Sequence, residues 1–214
     1  MQNKTFMKKQ NIFNYKFSLG SSEDNFFVNN TNKDAYDGIL FNQNNSLFLS
    51  GPAKSGKSCI GELWKNKHKA IKYKNNFEYL ITLKRNILID DFEEHNEEYI
   101  FHLINYTQLN KLKILLISKS TLYDIKIQLN DLSSRIKVFD SYFINNPDDE
   151  MLFNVLTKLV VDKQFIINSS EVFDYIIKRM SRSYEDLYNL VNKMDTLSLE
   201  KKRQLTIPLI KEIL

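Results

Sequence analysis

The sequence predicts an α/β fold, a parallel sheet flanked by helices, followed by a small all-α domain. Three features of its 214 residues lead to this prediction. A loop with two glycines, at 51–58, lies between an apolar run and a stretch that favours a helix. A second apolar run, at 86–92, ends in two aspartates and is typical of a buried parallel strand. Beyond residue 146, the hydrophobic periodicity is helical throughout.

The loop at 51–58 has the G-x-x-x-x-G-K-S pattern of a phosphate-binding P-loop. Its glycines let backbone N–H groups point inward at phosphate oxygens, and the helix start adds partial positive charge. We expect Lys57 to reach the β- and γ-phosphates and the Ser58 hydroxyl to be a ligand of Mg²⁺. The predicted nucleotide-binding residues here are Gly51, Pro52, Ala53, Lys54, Ser55, Gly56, Lys57, Ser58 and Cys59.

Composition narrows the class of protein. The 43 % hydrophobic fraction supports a packed core, and the formal net charge of +4 does not by itself indicate nucleic-acid binding. The single cysteine, Cys59, excludes an internal disulfide and a cysteine-rich metal site. No apolar run approaches the roughly 20 residues of a membrane span, and there is no signal-peptide pattern. We therefore expect a cytoplasmic protein without membrane contact.

Apolar runs and amphipathic stretches alternate before residue 146. They predict strands near 47–50, 70–73, 86–92 and 113–118, and helices near 34–40, 57–66 and 94–110. Residues 77–83 are ambiguous, and Val138-Phe139 has the character of a further strand. The last part of the chain predicts helices at about 148–161, 169–180, 183–196 and 206–214.

Asp90 and Asp91 follow the second apolar run, where a Walker B element carries its acids. Asp90 would hold Mg²⁺, directly or through water, and Asp91 would polarise the attacking water. Two acids that merely end a strand are the alternative. A P-loop about 30 residues upstream in an alternating α/β pattern favours the functional interpretation.

Arginine is scarce in a chain that otherwise uses lysine. We therefore expect some of its arginines to lie where a planar, bidentate cation is needed. Arg135 could be an arginine finger for a nucleotide on a neighbouring molecule, or the i,i+4 ion-pair partner of Asp131. Arg182, at a helix start, could fold back on the phosphates or lie on the helix surface. Ser118, at a strand end, could contact a γ-phosphate or simply end the strand; the sequence leaves this open.

The chain divides into three predicted parts: a flexible segment at 1–25, an α/β nucleotide-binding domain at 26–146 and a helical lid domain at 147–214. In the first part, a glutamine precedes spaced apolar and aromatic residues, as in a short linear motif that docks into a partner's apolar pocket. These residues are Gln10, Ile12, Phe13 and Tyr15. A first strand packed on the core explains them equally well.

The order of these motifs resembles that of an AAA+ ATPase of the DnaA initiator group. The motifs are the P-loop, Asp90-Asp91, the strand ending at Ser118, Ser134-Arg135 and a helical lid with Arg182. Two further stretches carry the resemblance, which covers nearly the whole chain. Residues 26–35 are similar to the nucleotide-side N-terminal segment of that group, and residues 203–214 are close to the C-terminal signature of its Hda-type regulators. Initiators continue into a helix-turn-helix domain where this chain stops, so the resemblance implies no direct sequence-specific DNA binding.

The resemblance implies a negative regulator of replication initiation that binds ADP or ATP with Mg²⁺. It would promote hydrolysis of ATP bound by the DnaA initiator, with Arg135 as the finger in trans and Arg182 as sensor II. It would dock through the motif at 10–15 on the DNA polymerase III β sliding clamp and thereby associate with the nucleoid. The sequence departs from the pattern of that group in two places. The motif at 10–15 lacks the usual leucines, and Ser118-Lys119 only loosely matches sensor I, the element that contacts the γ-phosphate.

Other functions stay open. An autonomous AAA+ ATPase, such as a helicase loader of the DnaC type, would form homo-oligomers, and its ATPase rate would rise with protein concentration. A non-catalytic scaffold with a locked nucleotide would leave its partner's hydrolysis unchanged by Arg135→Ala. A small-molecule P-loop kinase is disfavoured, because a helical lid with a lone arginine does not suggest a phosphate-acceptor site.

Overall fold

The computed structural model describes residues 26–167, 169–201 and 205–214. Five strands, paired in parallel, form its sheet. They are β1 (Ser46–Ser50), β2 (Ile71–Lys72), β3 (Ile87–Ile89), β4 (Ile114–Ser118) and β5 (Asp140–Phe143). Their order across the sheet is β2-β3-β4-β1-β5. The predicted parallel α/β fold is therefore confirmed.

Helices cover both faces of this sheet. They are α1 (Lys33–Phe41), α2 (Lys57–Lys67), α3 (Phe77–Leu83), α4 (Glu97–Leu109) and α5 (Asn130–Ile136). Side chains of a strand alternate between faces, so Leu47 and Leu49 of β1 pack with α1 and α2, whereas Phe48 packs with α3, α4 and α5. Strands buried on both sides have continuous apolar runs, which is why β1, β3 and β4 were the clearest in the sequence.

The strand register brings three loops to one edge of the sheet. The central strand β4 lies between β1 and β3, and Ser118 at its end is opposite Ser50. Ile89, the last residue of β3, is opposite Leu116. The segments that follow β1, β3 and β4 consequently leave the sheet side by side at its carboxyl edge, where α/β sheets bind ligands.

The C-terminal part has a hydrophobic core of its own, to which Leu156, Leu187 and Met194 contribute. Its helices are α6 (Asp149–Asp162), α7 (Glu171–Ile177), α8 (Tyr184–Lys201) and α9 (Ile207–Ile210). Asp148 caps α6 by accepting from the Met151 amide at 2.7 Å, and it also accepts from Asn29 Nδ2 at 2.9 Å. That second bond ties the start of the helical part to the segment before α1. In the described ranges, no helix combines the length and hydropathy needed to cross a membrane.

The structure differs from two secondary-structure predictions. The strand expected at Val138-Phe139 is wrong, because β5 begins at Asp140; Val138 is 74 % exposed and Phe139 turns into the core. Among the described residues β5 pairs only with β1, and this edge position tolerates the polar Asp140 and Ser141, which hid the strand in the sequence. The last predicted helix, 206–214, is confined to Ile207–Ile210.

One side chain fixes the loop that leads into α5. The Glu97 carboxylate, in the first turn of α4, accepts from the backbone amides of Gln128 at 3.0 Å and Leu129 at 2.7 Å. Leu129 immediately precedes α5, so Glu97 sets where that helix starts. Arg135, in the last turn of α5, is positioned through this contact.

We expect Glu97→Gln to lower the free energy of unfolding by about 1–2 kcal/mol, because charge-assisted hydrogen bonds to two amides are lost. Denaturant unfolding measures this loss, and hydrogen exchange should show faster exchange of the Leu129 amide. Glu98→Gln is the matched control, since Glu98 is an exposed acid in the same helical turn. Equal destabilisation by the two variants would contradict this role of Glu97.

Candidate functional site: the P-loop edge of the sheet

The P-loop at 51–58 joins β1 to α2, and glycine is required at both of its glycine positions. Gly51 has φ 154°, and a Cβ there would lie 2.9 Å from the carbonyl oxygen of Ile144. Gly56 has φ 91°, and a Cβ there would lie 2.9 Å from the Phe26 ring. These constraints hold the loop close around the N-terminus of α2.

Lys57, the first residue of α2, is buried inside this loop. Its ammonium donates to the carbonyl oxygens of Gly51 and Pro52, both at 2.7 Å. Burial lowers the pKa of Lys57, although the carboxylates of Asp91 and Glu93 act in the opposite direction. Two of its three N–H donors are satisfied by the loop, and the third is available to an anion.

The residues of the loop fit a phosphate group. The Ser55 hydroxyl is buried and has no hydrogen-bond partner among the described residues. The first-turn amides of α2 lack intrahelical acceptors and carry the positive end of the helix dipole. Phosphate oxygens would supply acceptors for both, so the loop can hold the phosphates of a nucleotide.

Asp90 lies buried at the end of β3, next to the P-loop helix. Its Oδ1 is 3.4 Å from the Ser58 hydroxyl, so the two oxygen donors predicted for Mg²⁺ face each other. Asp91 has a left-handed backbone with φ 51°, and its half-exposed carboxylate lies 3.5 Å from Lys119 Nζ. Among the described residues there is no cluster of three metal-binding side chains, so Mg²⁺ here would also need phosphate oxygens or water as ligands.

Lys72 is a site residue that the sequence analysis missed. Its Nζ is 2.7 Å from Oδ2 of Asp90. Lys72 ends β2 and is opposite Leu88 of β3, so β2 and β3 end side by side. Lys72 and Asp90 therefore meet at the same edge of the sheet. A polar residue between Ile71 and Tyr73 was the available signal, but its meaning required the strand order.

Ser118, whose role the sequence left open, binds a carboxylate in this structure. Its Oγ lies 2.5 Å from Glu93 Oε1, which also accepts from the amides of Lys119 at 2.8 Å and Ser120 at 3.1 Å. Burial would raise the pKa of Glu93, but these hydrogen bonds outweigh it and lower that pKa below its ordinary value. The sensor role of Ser118 remains a prediction, and Glu93 is a second residue that sequence reasoning missed.

Arg135 lies at the opposite edge of the sheet from the P-loop. Its Nη1 is 2.8 Å from Oε1 of Gln108, and its guanidinium lies 5.2 Å from the centre of the Phe101 ring. Gln108 belongs to the last turn of α4, which runs from the end of β3 back to the start of β4. The partners of Arg135 are thus on α4, not at Asp131, and Arg135 is remote from the P-loop of its own chain.

Arg182 pairs with Asp149 at the start of α6 through Nε at 3.0 Å and Nη2 at 3.2 Å. This bidentate contact, exposed on both sides, occupies the guanidinium, so the structure does not bring Arg182 to the P-loop. The helical part nevertheless approaches the loop at Cys59. Burial raises the pKa of this thiol, and Lys158 of α6 is close enough to act in the opposite direction.

The predicted clamp-binding residues lie outside the described residues. These are Gln10, Ile12, Phe13 and Tyr15. The structure therefore brings Lys57, Ser58, Asp90 and Asp91 together, keeps Arg135 and Arg182 apart from them, and leaves the roles of all six as predictions.

Comparisons with known proteins agree with this architecture. A family model described as "Hda, lid domain" matches residues 149–214. Domain III of the replication initiation protein DnaA from Thermotoga maritima has a similar structure, with TM-score 0.75 and 16 % identity over 92 % of this chain and 96 % of that one.

Two curated relatives extend the comparison. The chromosomal replication initiator protein DnaA of Buchnera aphidicola subsp. Cinara cedri is 26 % identical over 249 residues, covering 99 % of this chain and 57 % of that protein. An uncharacterized protein of Haemophilus influenzae is 31 % identical over 134 residues, covering 60 % of this chain and 58 % of that protein. The chain thus spans less than two thirds of either relative. The helical part is therefore similar to the Hda lid domain, and the chain as a whole has the fold of DnaA domain III and is similar in sequence to DnaA.

Proposed function

We propose that this chain is a negative regulator of replication initiation. It binds ADP or ATP with its P-loop and promotes hydrolysis of the ATP that DnaA holds, using Arg135 as a finger in trans and the DNA-loaded sliding clamp as a tether. The kinship with DnaA supports the choice of partner, because related AAA+ domains can offer each other complementary faces. The helical part supports the Hda-like assignment within that group.

The position of Arg135 carries the proposal. A guanidinium at the amino edge of the sheet is remote from the phosphates of its own chain, so a role in hydrolysis requires a second molecule. Its two contacts, one hydrogen bond to Gln108 and a ring contact with Phe101, hold the guanidinium on the surface of α4. Such contacts are worth about 1 kcal/mol each, so they orient the arginine and still let it turn to a phosphate.

The magnitudes fit a regulator that adds one charged group to a site on its partner. An arginine finger supplied in trans raises hydrolysis ~10³–10⁵-fold, about 4–7 kcal/mol of transition-state stabilisation. The encounter itself can be weak if the clamp holds both proteins on one DNA, because tethering raises the effective concentration. The nucleotide on this chain would then set the shape of the surface that presents Arg135.

Lys57→Ala should abolish binding of a fluorescent adenine nucleotide, because the loop loses its one buried ammonium and with it the charge that faces the phosphates. We expect at least ~100-fold weaker binding, the equivalent of about 3 kcal/mol. Lys65→Ala is the control, since Lys65 lies on the same helix but pairs with Glu62 at the surface. Unchanged binding by Lys57→Ala would rule out the P-loop as the nucleotide site.

Arg135→Ala should remove most of the stimulated hydrolysis of DnaA-bound ATP in the presence of DNA-loaded clamp, a loss of roughly 10³–10⁵-fold. Arg135→Lys should restore only part of it, because an ammonium lacks the planar fork. The matched control is Arg85→Ala, an exposed arginine near the same edge that contacts the Lys69 carbonyl.

Three outcomes of that assay have different meanings. Clamp-dependent loss of bound ATP that disappears in Arg135→Ala, but not in Arg85→Ala, supports the regulator and its finger together. No stimulation by the wild type contradicts the proposal. Intrinsic ATPase that rises with protein concentration would instead support an autonomous loader that assembles with itself.

A Gln10→Ala/Phe13→Ala variant should bind the clamp at least ~10-fold more weakly, because an anchoring polar contact and an apolar side chain are both lost from the motif. Surface plasmon resonance on immobilised clamp measures this affinity. Nucleotide binding serves as the internal control and should not change. Undiminished clamp affinity would remove this motif from the proposal while leaving the role of Arg135 standing.

A further inference from the structure

The two carboxylate oxygens of Asp90 have different partners. Oδ1 faces the Ser58 hydroxyl at 3.4 Å, and Oδ2 accepts from Lys72 Nζ at 2.7 Å. The carboxylate is 7 % exposed, whereas the lysine side chain is 35 % exposed and reaches in from the edge of the sheet. Asp90 is therefore the predicted metal ligand and, at the same time, one half of an ion pair within the chain.

A buried carboxylate requires a counter-ion, because removing an unpaired charge from water is costly. Two other lysines lie near this edge, but they have other partners. Lys57 donates to loop carbonyls, and Lys119 pairs with Asp91 and Glu94. Among the described residues, Lys72 is thus the cation bonded directly to Asp90.

We propose that Lys72 is a built-in counter-ion of the Walker B aspartate, and that it makes nucleotide binding by this chain largely independent of Mg²⁺. The inference rests on the proposed nucleotide binding. In an ordinary P-loop site, the divalent ion balances the charge of the phosphates and the Walker B acid together. Here an ammonium already balances the acid before any metal arrives.

The same contact opposes metal binding at Asp90. Mg²⁺ held by Ser58 and Asp90 would share one carboxylate with the ammonium of Lys72, and two cations that close together repel each other. Alternatively, Lys72 would have to swing out and give up its hydrogen bond. Either way, metal affinity falls, while the phosphates still have Lys57, the loop amides and the helix dipole.

The test is calorimetric titration of the full chain with ADP in Mg²⁺ and in EDTA. The wild type should bind with affinities that differ by less than about 3-fold between the two buffers. Lys72→Met keeps the aliphatic stem but removes the charge, and its affinity should fall ~10-fold or more in EDTA while recovering in Mg²⁺. Lys74→Met, an exposed lysine two residues further on, is the matched control and should behave as the wild type.

A second measurement follows the metal directly. Electron paramagnetic resonance of Mn²⁺ should show ~10-fold tighter binding to the ADP complex of Lys72→Met than to that of the wild type. Lys72→Arg retains the charge and should match the wild type in both assays, which separates loss of the counter-ion from damage to the fold. Circular dichroism shows whether Lys72→Met is folded, and if it is not, the Lys72→Arg and wild-type titrations still test the proposal.

Failure of this inference can be distinguished from failure of the proposed function. If the wild type binds ADP only with Mg²⁺, or if Lys72→Met shows no new metal dependence, the counter-ion role is overturned while nucleotide binding stands. If the wild type binds neither ADP nor ATP in either buffer, the proposed function fails first, and the counter-ion role fails with it.

Discussion

The parallel pairing of β1 with β4 is the constraint on which the rest of the structure depends. Ser50 lies opposite Ser118, and β3 follows on the other side of β4. This register sends the P-loop, the Walker B segment and the segment after Ser118 out of the sheet at one edge. A slip of one residue would exchange the two faces of β1 and move Phe48 out of its core. The apolar packing on both faces therefore fixes the geometry of the site.

The charges gathered at this edge balance each other closely. Lys57 and Lys72 are the cations nearest the sheet, Asp90 is a buried carboxylate, and Glu93 is an exposed carboxylate held by backbone amides. Each of these groups is partnered by the loop, by a strand or by backbone amides. Such a site would be preorganised for the proposed phosphate, because the phosphate would exchange existing partners and would not have to gather distant side chains. Preorganisation also fits the proposed role of the nucleotide, which would set the shape of the surface that presents Arg135 more than be hydrolysed.

The two edges of the sheet separate two kinds of chemistry. The carboxyl edge carries the proposed nucleotide site, whereas the amino edge presents Arg135 on the far end of α4 and α5. The same layer of helices connects them, since Glu97 at the start of α4 positions α5 and Gln108 at its end orients Arg135. The helices α4 and α5 thus form one packed layer between the P-loop edge and the half-buried Arg135.

The sequence by itself determined the fold class, and it predicted a P-loop and a Walker B pair whose roles stay predictions. These depend on local patterns: glycines at fixed spacing, apolar runs buried on both faces, and acids at a strand end. It failed at β5, where an edge strand carries polar residues, and at Lys72 and Glu93, whose partners are distant in the chain. Only the tertiary structure decided that Lys72 meets Asp90, that Arg182 meets Asp149, and that Arg135 lies far from its own P-loop. The physical reason is that strand order and helix packing choose long-range partners, and no local pattern encodes that choice.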